Sequence, residues 1–182
     1  SLGGLGNVYN NLGQYERAID FHEQSLAITR EIGDLAGEGG ALGGLGIVYD
    51  NLGQYERAID FHEQQLAITR EIGNRAGEGV ALGNLGNVYN KLGQYERAID
   101  FYEQQLAITR EIGNRAGEGS ALGNLGNAYR NLGQYERAID FYEQSLVIFR
   151  EIDDRADEGR SLGGLGNVYN KLGQYERAID FY

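Results

Sequence analysis

Between Ala81 and Leu92 the apolar side chains fall at Ala81, Leu82, Leu85, Val88, Tyr89 and Leu92. Steps of three and four place them on one stripe of a helix. A second stripe follows at Tyr95, Ala98, Ile99, Tyr102, Leu106, Thr109 and Ile112. Gly93 stands between the two, and Gly accepts the left-handed conformation that ends a helix before a tight turn. Gly113 does the same after the second stripe, while Asp153 takes that place in a later copy and tolerates it less well. Connections this short join only antiparallel helix hairpins. Strand-type alternation is absent.

The pattern recurs. Tyr15, Tyr55, Tyr95, Tyr135 and Tyr175 are spaced by 40 residues, as are Gly43, Gly83, Gly123 and Gly163. Residues 43–82 and 83–122 differ at six positions, namely 44, 47, 50, 51, 62 and 80, and match at 34. A hairpin cannot bury both its stripes alone, but stacked hairpins can, which predicts an all-α solenoid of antiparallel hairpins. The expected organisation is one array over 1–182: a partial repeat 1–34, repeats 35–74, 75–114 and 115–154, and a truncated repeat 155–182. Gly83 and Gly86 sit within one helical turn, each costing about 1 kcal/mol against Ala. Backbones are therefore expected to approach closely there, with stability coming from stacking.

Leu85, Gly86 and Tyr89 on the first helix, with Tyr95, Ala98 and Tyr102 on the second, resemble the tetratricopeptide repeat signature. The resemblance runs the length of the chain. It departs from the family in period, 40 against about 34, and in lacking the Pro that closes the second helix, with Arg110 near that place. The long repeat is similar to LGN/Pins-type arrays and to bacterial, often cyanobacterial, arrays. The resemblance implies a right-handed superhelix in which first helices line a concave groove. It also implies a non-catalytic scaffold that binds proteins or peptides.

Differences between copies mark positions that packing leaves free. On the first helix they fall at 40/80/120/160, 44/84/124/164, 47/87/127/167, 50/90/130/170 and 51/91/131/171. These offsets share one helical face. Two readings stand: a solvated face free to drift, or a ligand groove. For the groove the candidate peptide-binding residues are Asn7, Asn84, Asn87, Asn90, Lys91, Asn124, Asn127, Arg130, Arg160, Asn167, Asn170 and Lys171. An Asn amide both donates to and accepts from a peptide backbone. By the resemblance, Asn7, Asn87, Asn127 and Asn167 match the Asn that holds the ligand backbone. Gly83 and Gly123 stand where a carboxylate-binding Lys would be expected, so an extended peptide is the more natural ligand.

Composition removes other chemistries. Cys is absent, which excludes disulfides and thiolate sites. The net charge of −11 disfavours nucleic acid. No apolar run is long enough to span a bilayer. The text from Gly77 to Gly86 has no strand before it and no Gly-Lys-Ser/Thr after it, so it is not a phosphate loop. His22 and His62 share a repeat position with Tyr102 and Tyr142, which points to packing at a repeat junction rather than to a metal. Glu56, Asp60 and Glu63 read as a solvated outer face, with Arg57 and Asp60 as a weak surface pair. No cofactor, no catalytic residue and no metal site are expected, and the expected compartment is the cytoplasm. Two alternatives to the peptide scaffold remain: a self-assembling structural solenoid, and the sensor or adaptor arm of a larger signalling protein. Leu165, Tyr169, Ala178 and Phe181 are expected to expose apolar surface, which would favour end-to-end self-association or exchange of terminal helices.

Overall fold

The computed structural model describes residues 1–181, and among them every regular element is a helix. The helices are α1 (Leu2–Asn11), α2 (Tyr15–Ile32), α3 (Leu35–Asn51), α4 (Tyr55–Glu71), α5 (Arg75–Lys91), α6 (Tyr95–Glu111), α7 (Arg115–Asn131), α8 (Tyr135–Glu151), α9 (Arg155–Lys171) and α10 (Tyr175–Ile179). A repeat is thus a 17-residue helix, a three-residue turn, a second 17-residue helix and another three-residue turn, seen in α5, 92–94, α6 and 112–114. That accounts for the 40-residue period. Every described turn that has Gly at the expected place holds it left-handed, for instance Gly93 at φ 74° and Gly113 at φ 68°, and Asp153 adopts the same region at φ 55°.

The chain forms two compact units, Ser1–Val88 and residues 89 onward. In the first, α1 packs on α2, α2 on α3, and α3 on α4, with α1 also touching α3. In the second, α6 packs on α7, α7 on α8, α8 on α9, and α9 on α10, with α7 also touching α9. Each of the first helices α3, α7 and α9 therefore has its own hairpin partner and other helices against it. Such a helix is buried almost all round along its middle, as on α3 from Ala41 to Gly46, which suits small residues such as glycine, whereas α1 buries Gly6 alone. Second helices keep one exposed side, where Glu56, Asp60 and Glu63 lie in solvent as expected.

Three side chains hold each hairpin together. Tyr49 stacks on Phe61 with centroids 5.3 Å apart, and Arg57 lies 4.0 Å over the Tyr49 ring. The same trio recurs at Tyr89/Phe101/Arg97 and Tyr129/Phe141/Arg137. This corrects the expected pairing of Arg57 with Asp60: the guanidinium takes the aromatic face and donates to Gln54 Oε1 at 3.3 Å. A second correction concerns the last hairpin. Leu165, Tyr169 and Ala178 are buried and Phe181 is half-buried, while Tyr175 and Ile179 are the exposed apolar residues there.

Candidate functional site

In the second unit, α7 starts at Asn114, whose side chain accepts from the Gly117 amide at 2.9 Å. Arg110 at the end of α6 donates through Nε to Glu118 Oε1 at 2.8 Å, and Arg115 also bonds Glu118. Burial alone would raise the Glu118 carboxyl, but these hydrogen bonds outweigh it and hold it below the ordinary carboxylate value. Arg150 and Glu158 repeat the tie from α8 to α9 at 2.8 Å. These ties fix the start of each first helix against the end of the second helix before it.

One ring sets how close α7 and α9 come. Tyr142 on α8 is fully buried. A Cβ on Gly126 would lie 2.9 Å from it, and one on Gly164 would lie 2.5 Å from it. Only glycine lets both first helices close on this ring. In the first unit His22 is enclosed in the same way by Gly6 and Gly44. The shared His/Tyr position is therefore a packing ring between neighbouring hairpins, and burial lowers the pKa of both His22 and His62.

Above Tyr142 a cleft of about 120 Å³ opens. Gly119, Ser120, Gly123, Asn124 and Asn127 line it from α7, Tyr142, Ser145 and Phe149 from α8, and Asp157, Arg160 and Ser161 from α9. Its polar atoms are mostly engaged. The Ser145 hydroxyl bonds the Gly119 carbonyl at 2.9 Å and lies 3.0 Å from the Ser161 hydroxyl, which donates to the Asp157 carbonyl at 3.1 Å. The Tyr142 hydroxyl donates to Asn127 Oδ1 at 2.7 Å. Burial raises the pKa of that phenol, against the opposing charge of Arg130. With its oxygen so occupied, Asn127 turns its amide N–H groups away from the phenol. Arg160 pairs with Asp157 at the rim. Arg130 is half-buried and has no ion-pair partner among the described residues.

The tetratricopeptide repeat model matches residues 1–71, 40–111, 77–151 and 117–182. This chain belongs to the tetratricopeptide repeat family. Solved structures show the same fold at low identity. BtubC from P. vanneervenii is 24% identical, with a TM-score of 0.87 over 99% of this chain and 75% of that one. A Rap protein complexed with Competence and Sporulation Factor is 18% identical, with a TM-score of 0.86 over 100% of this chain and 51% of that one. A Signal Transduction ATPase with Numerous Domains protein with a tetratricopeptide repeat sensor, from Pyrococcus horikoshii, is 21% identical; its TM-score is 0.85 over 98% of this chain and 28% of that one. No curated protein matches.

Within this tetratricopeptide chain the cleft brings together Asn124, Asn127 and Arg160 from among the candidate residues, with Arg130 close enough to act on Tyr142. Asn90 accepts from Asn131 Nδ2 at 3.2 Å, a clasp between α5 and α7. Asn167, Asn170 and Lys171 lie exposed on α9, and Lys91 lies exposed at the end of α5. Asn7, Asn84 and Asn87 belong to the first unit; Asn7 is exposed, and Asn84 is half-buried with its Nδ2 unsatisfied. Sequence reasoning missed Tyr142, Ser145, Phe149 and Ser161. A signal was there: position 145 reads Ser25, Gln65, Gln105, Ser145, and position 149 reads Thr29, Thr69, Thr109, Phe149. These differences lie on second helices, and the candidate face was drawn from first-helix differences alone. Among the described residues, no group of three or more acidic, His or Cys side chains could hold a metal, and no helix is long and apolar enough to cross a membrane.

Proposed function

We propose that this chain is a non-catalytic protein-interaction scaffold that binds an extended protein segment along its first helices, anchored at the α7–α8–α9 cleft. The observation that carries this reading is the union, in one cleft, of residues that vary between otherwise matching copies: Asn124, Asn127 and Arg160 beside Ser145 and Phe149. Neutral drift on a solvated face does not require its variable residues to line a concavity. Asn amides suit a peptide backbone, because each offers both donor and acceptor. The acidic net charge disfavours nucleic acid as the partner. A Rap protein of the same fold is complexed with Competence and Sporulation Factor, so the fold is compatible with ligand binding. Within the second unit the proposed face also takes in Asn90, Lys91, Asn167, Asn170 and Lys171, and Asn7, Asn84 and Asn87 are proposed as ligand contacts of the first unit by itself.

The test is a paired pull-down from the source cell with the parent chain and an Asn124→Ala/Asn127→Ala variant of equal helicity. A partner held by the parent and lost by the variant supports the reading. Equal recovery by both removes the cleft from the function.

A further inference from the structure

We infer that the α7–α8–α9 cleft is a side-chain pocket for an aliphatic residue next to an acidic one, and that the residue at 145 is its gate. This rests on the proposal that the face binds an extended segment, and names which part of the segment enters.

The gate is visible by comparing the two units. In the first, Gln65 is buried, and its amide lies 2.7 Å from where a Cβ on Gly43 would stand. In the second, the matching Gly123 faces only the shorter Ser145, whose hydroxyl is 3.3 Å from that point. Gln to Ser therefore empties the space that the amide fills in the first unit. The resulting volume, about 120 Å³, is on the order of the ~150 Å³ apolar cavity known to hold benzene.

The pocket's floor fixes the chemistry. Phe149, Tyr142 and glycine backbone supply apolar surface. The two buried hydroxyls, Ser145 and Ser161, already bond carbonyls of the chain. An entering hydrocarbon thus leaves both hydroxyls satisfied, whereas a polar head would find neither of them free to replace its water. Charge supplies the second element. Arg130 is half-buried, without an ion-pair partner among the described residues, in a chain of net charge −11. The matching residue of the first unit is Asp50. A carboxylate on the bound segment meets Arg130 beside the pocket, while Asn124 and Asn127 hold its backbone.

A phage-displayed library of linear peptides, panned on the intact chain, tests this. The variant is Ser145→Gln/Ser161→Ala, which installs the pair that residues 65 and 81 already carry in the same fold. The expected selected sequences place Leu, Ile, Val or Met beside Asp or Glu. The best synthetic peptide should lose at least tenfold in affinity for the variant, and likewise when its own aliphatic residue becomes Ala. An Arg130→Glu chain should no longer favour the acidic neighbour. Selected sequences without the aliphatic preference, or equal affinity for the variant, overturn the pocket and leave the scaffold reading standing. No enrichment over bare matrix overturns both.

Discussion

The joint around α4 in the first unit and the joint around α8 in the second are built on the same hairpin text, yet they present different surfaces. Around α4 the positions read His62, Gln65 and Thr69, with Gly46 on α3 under the His62 ring and Gly43 under the Gln65 amide. Gln65 plugs the centre, and a hollow of about 200 Å³ lies instead toward the helix starts, among Gly39, Gly40, Thr69 and Val80. Around α8 they read Tyr142, Ser145 and Phe149, facing Gly123, Asn124 and Asn127 on α7, and the centre is open. Phe149 closes the end that Thr69 leaves open, with its ring 2.9 Å from a would-be Cβ on Gly119. A few side chains thus move a concavity along a common backbone. The shared residues make the scaffold, and the exchanged ones make the surface.

The comparison can be broken most severely at the glycine beneath each ring. Gly46→Val places a methyl-bearing Cβ 2.4 Å from the His62 ring, against 2.9 Å from Tyr142 for Gly126→Val. The expected losses in urea unfolding are about 3 and about 2 kcal/mol respectively; equal values would show that the two rings are equally free to yield. Acid should then separate the units. His22 and His62 have folded pKa values lowered from 6.5 by burial, so the folded state binds fewer protons than the unfolded one. Their contribution is present above pH 6.5 and drains as pH falls below it. Glu78, Glu118 and Glu158 are lowered from 4.5, so their contribution survives until pH falls below that value. Between the two values, hydrogen exchange should quicken in α1–α4 and not in α6–α9, after correction for intrinsic rates. His22→Tyr/His62→Tyr should abolish the contrast.

A smaller change sharpens the plug itself. His62 Nδ1 is 3.3 Å from Gln65 Oε1, while both nitrogens of His22 are buried without a partner, because Ser25 stands where Gln65 does. Ser25→Gln should gain about 1 kcal/mol in urea unfolding by satisfying that ring. The smallest expected effect is at the turn after α8. Asp153→Gly relieves a left-handed residue at φ 55° and should gain about 0.5 kcal/mol, read as a melting rise of roughly 2 °C.

The hairpins were legible because their signals are local: stripes at helical spacing, and a glycine where each helix must end. The burial of the first helices was legible from Gly83 and Gly86, residues that an exposed helix would not keep. The ties between Arg70 and Glu78, or Arg110 and Glu118, were not, because they join residues eight apart across a turn, and no single-helix spacing reveals them. Arg57 was assigned to Asp60 on helical spacing, whereas the Tyr49 ring on the partner helix offers a closer face. Of the cleft, Asn124 and Asn127 on α7 and Arg160 on α9 were visible as variation on one helical face, while Ser161 was not. The α8 members were hidden because Ser145 and Phe149 sit among core positions, where exchange looks like repacking until a neighbour shows the space it leaves.

The division of the period into 17, 3, 17 and 3 residues has a further consequence. Excising residues 75–114 would join Asn74 directly to Arg115, and every local partner would be replaced by its counterpart. Asn74 would cap Gly117 as it now caps Gly77, and Arg70 would reach Glu118 as it now reaches Glu78. A gene written this way can lose or gain 40 codons by unequal crossing-over without creating a foreign junction. Repeat number then becomes a heritable quantity, and the length of the array can be inherited, extended or cut back in whole steps while each joint keeps its own chemistry.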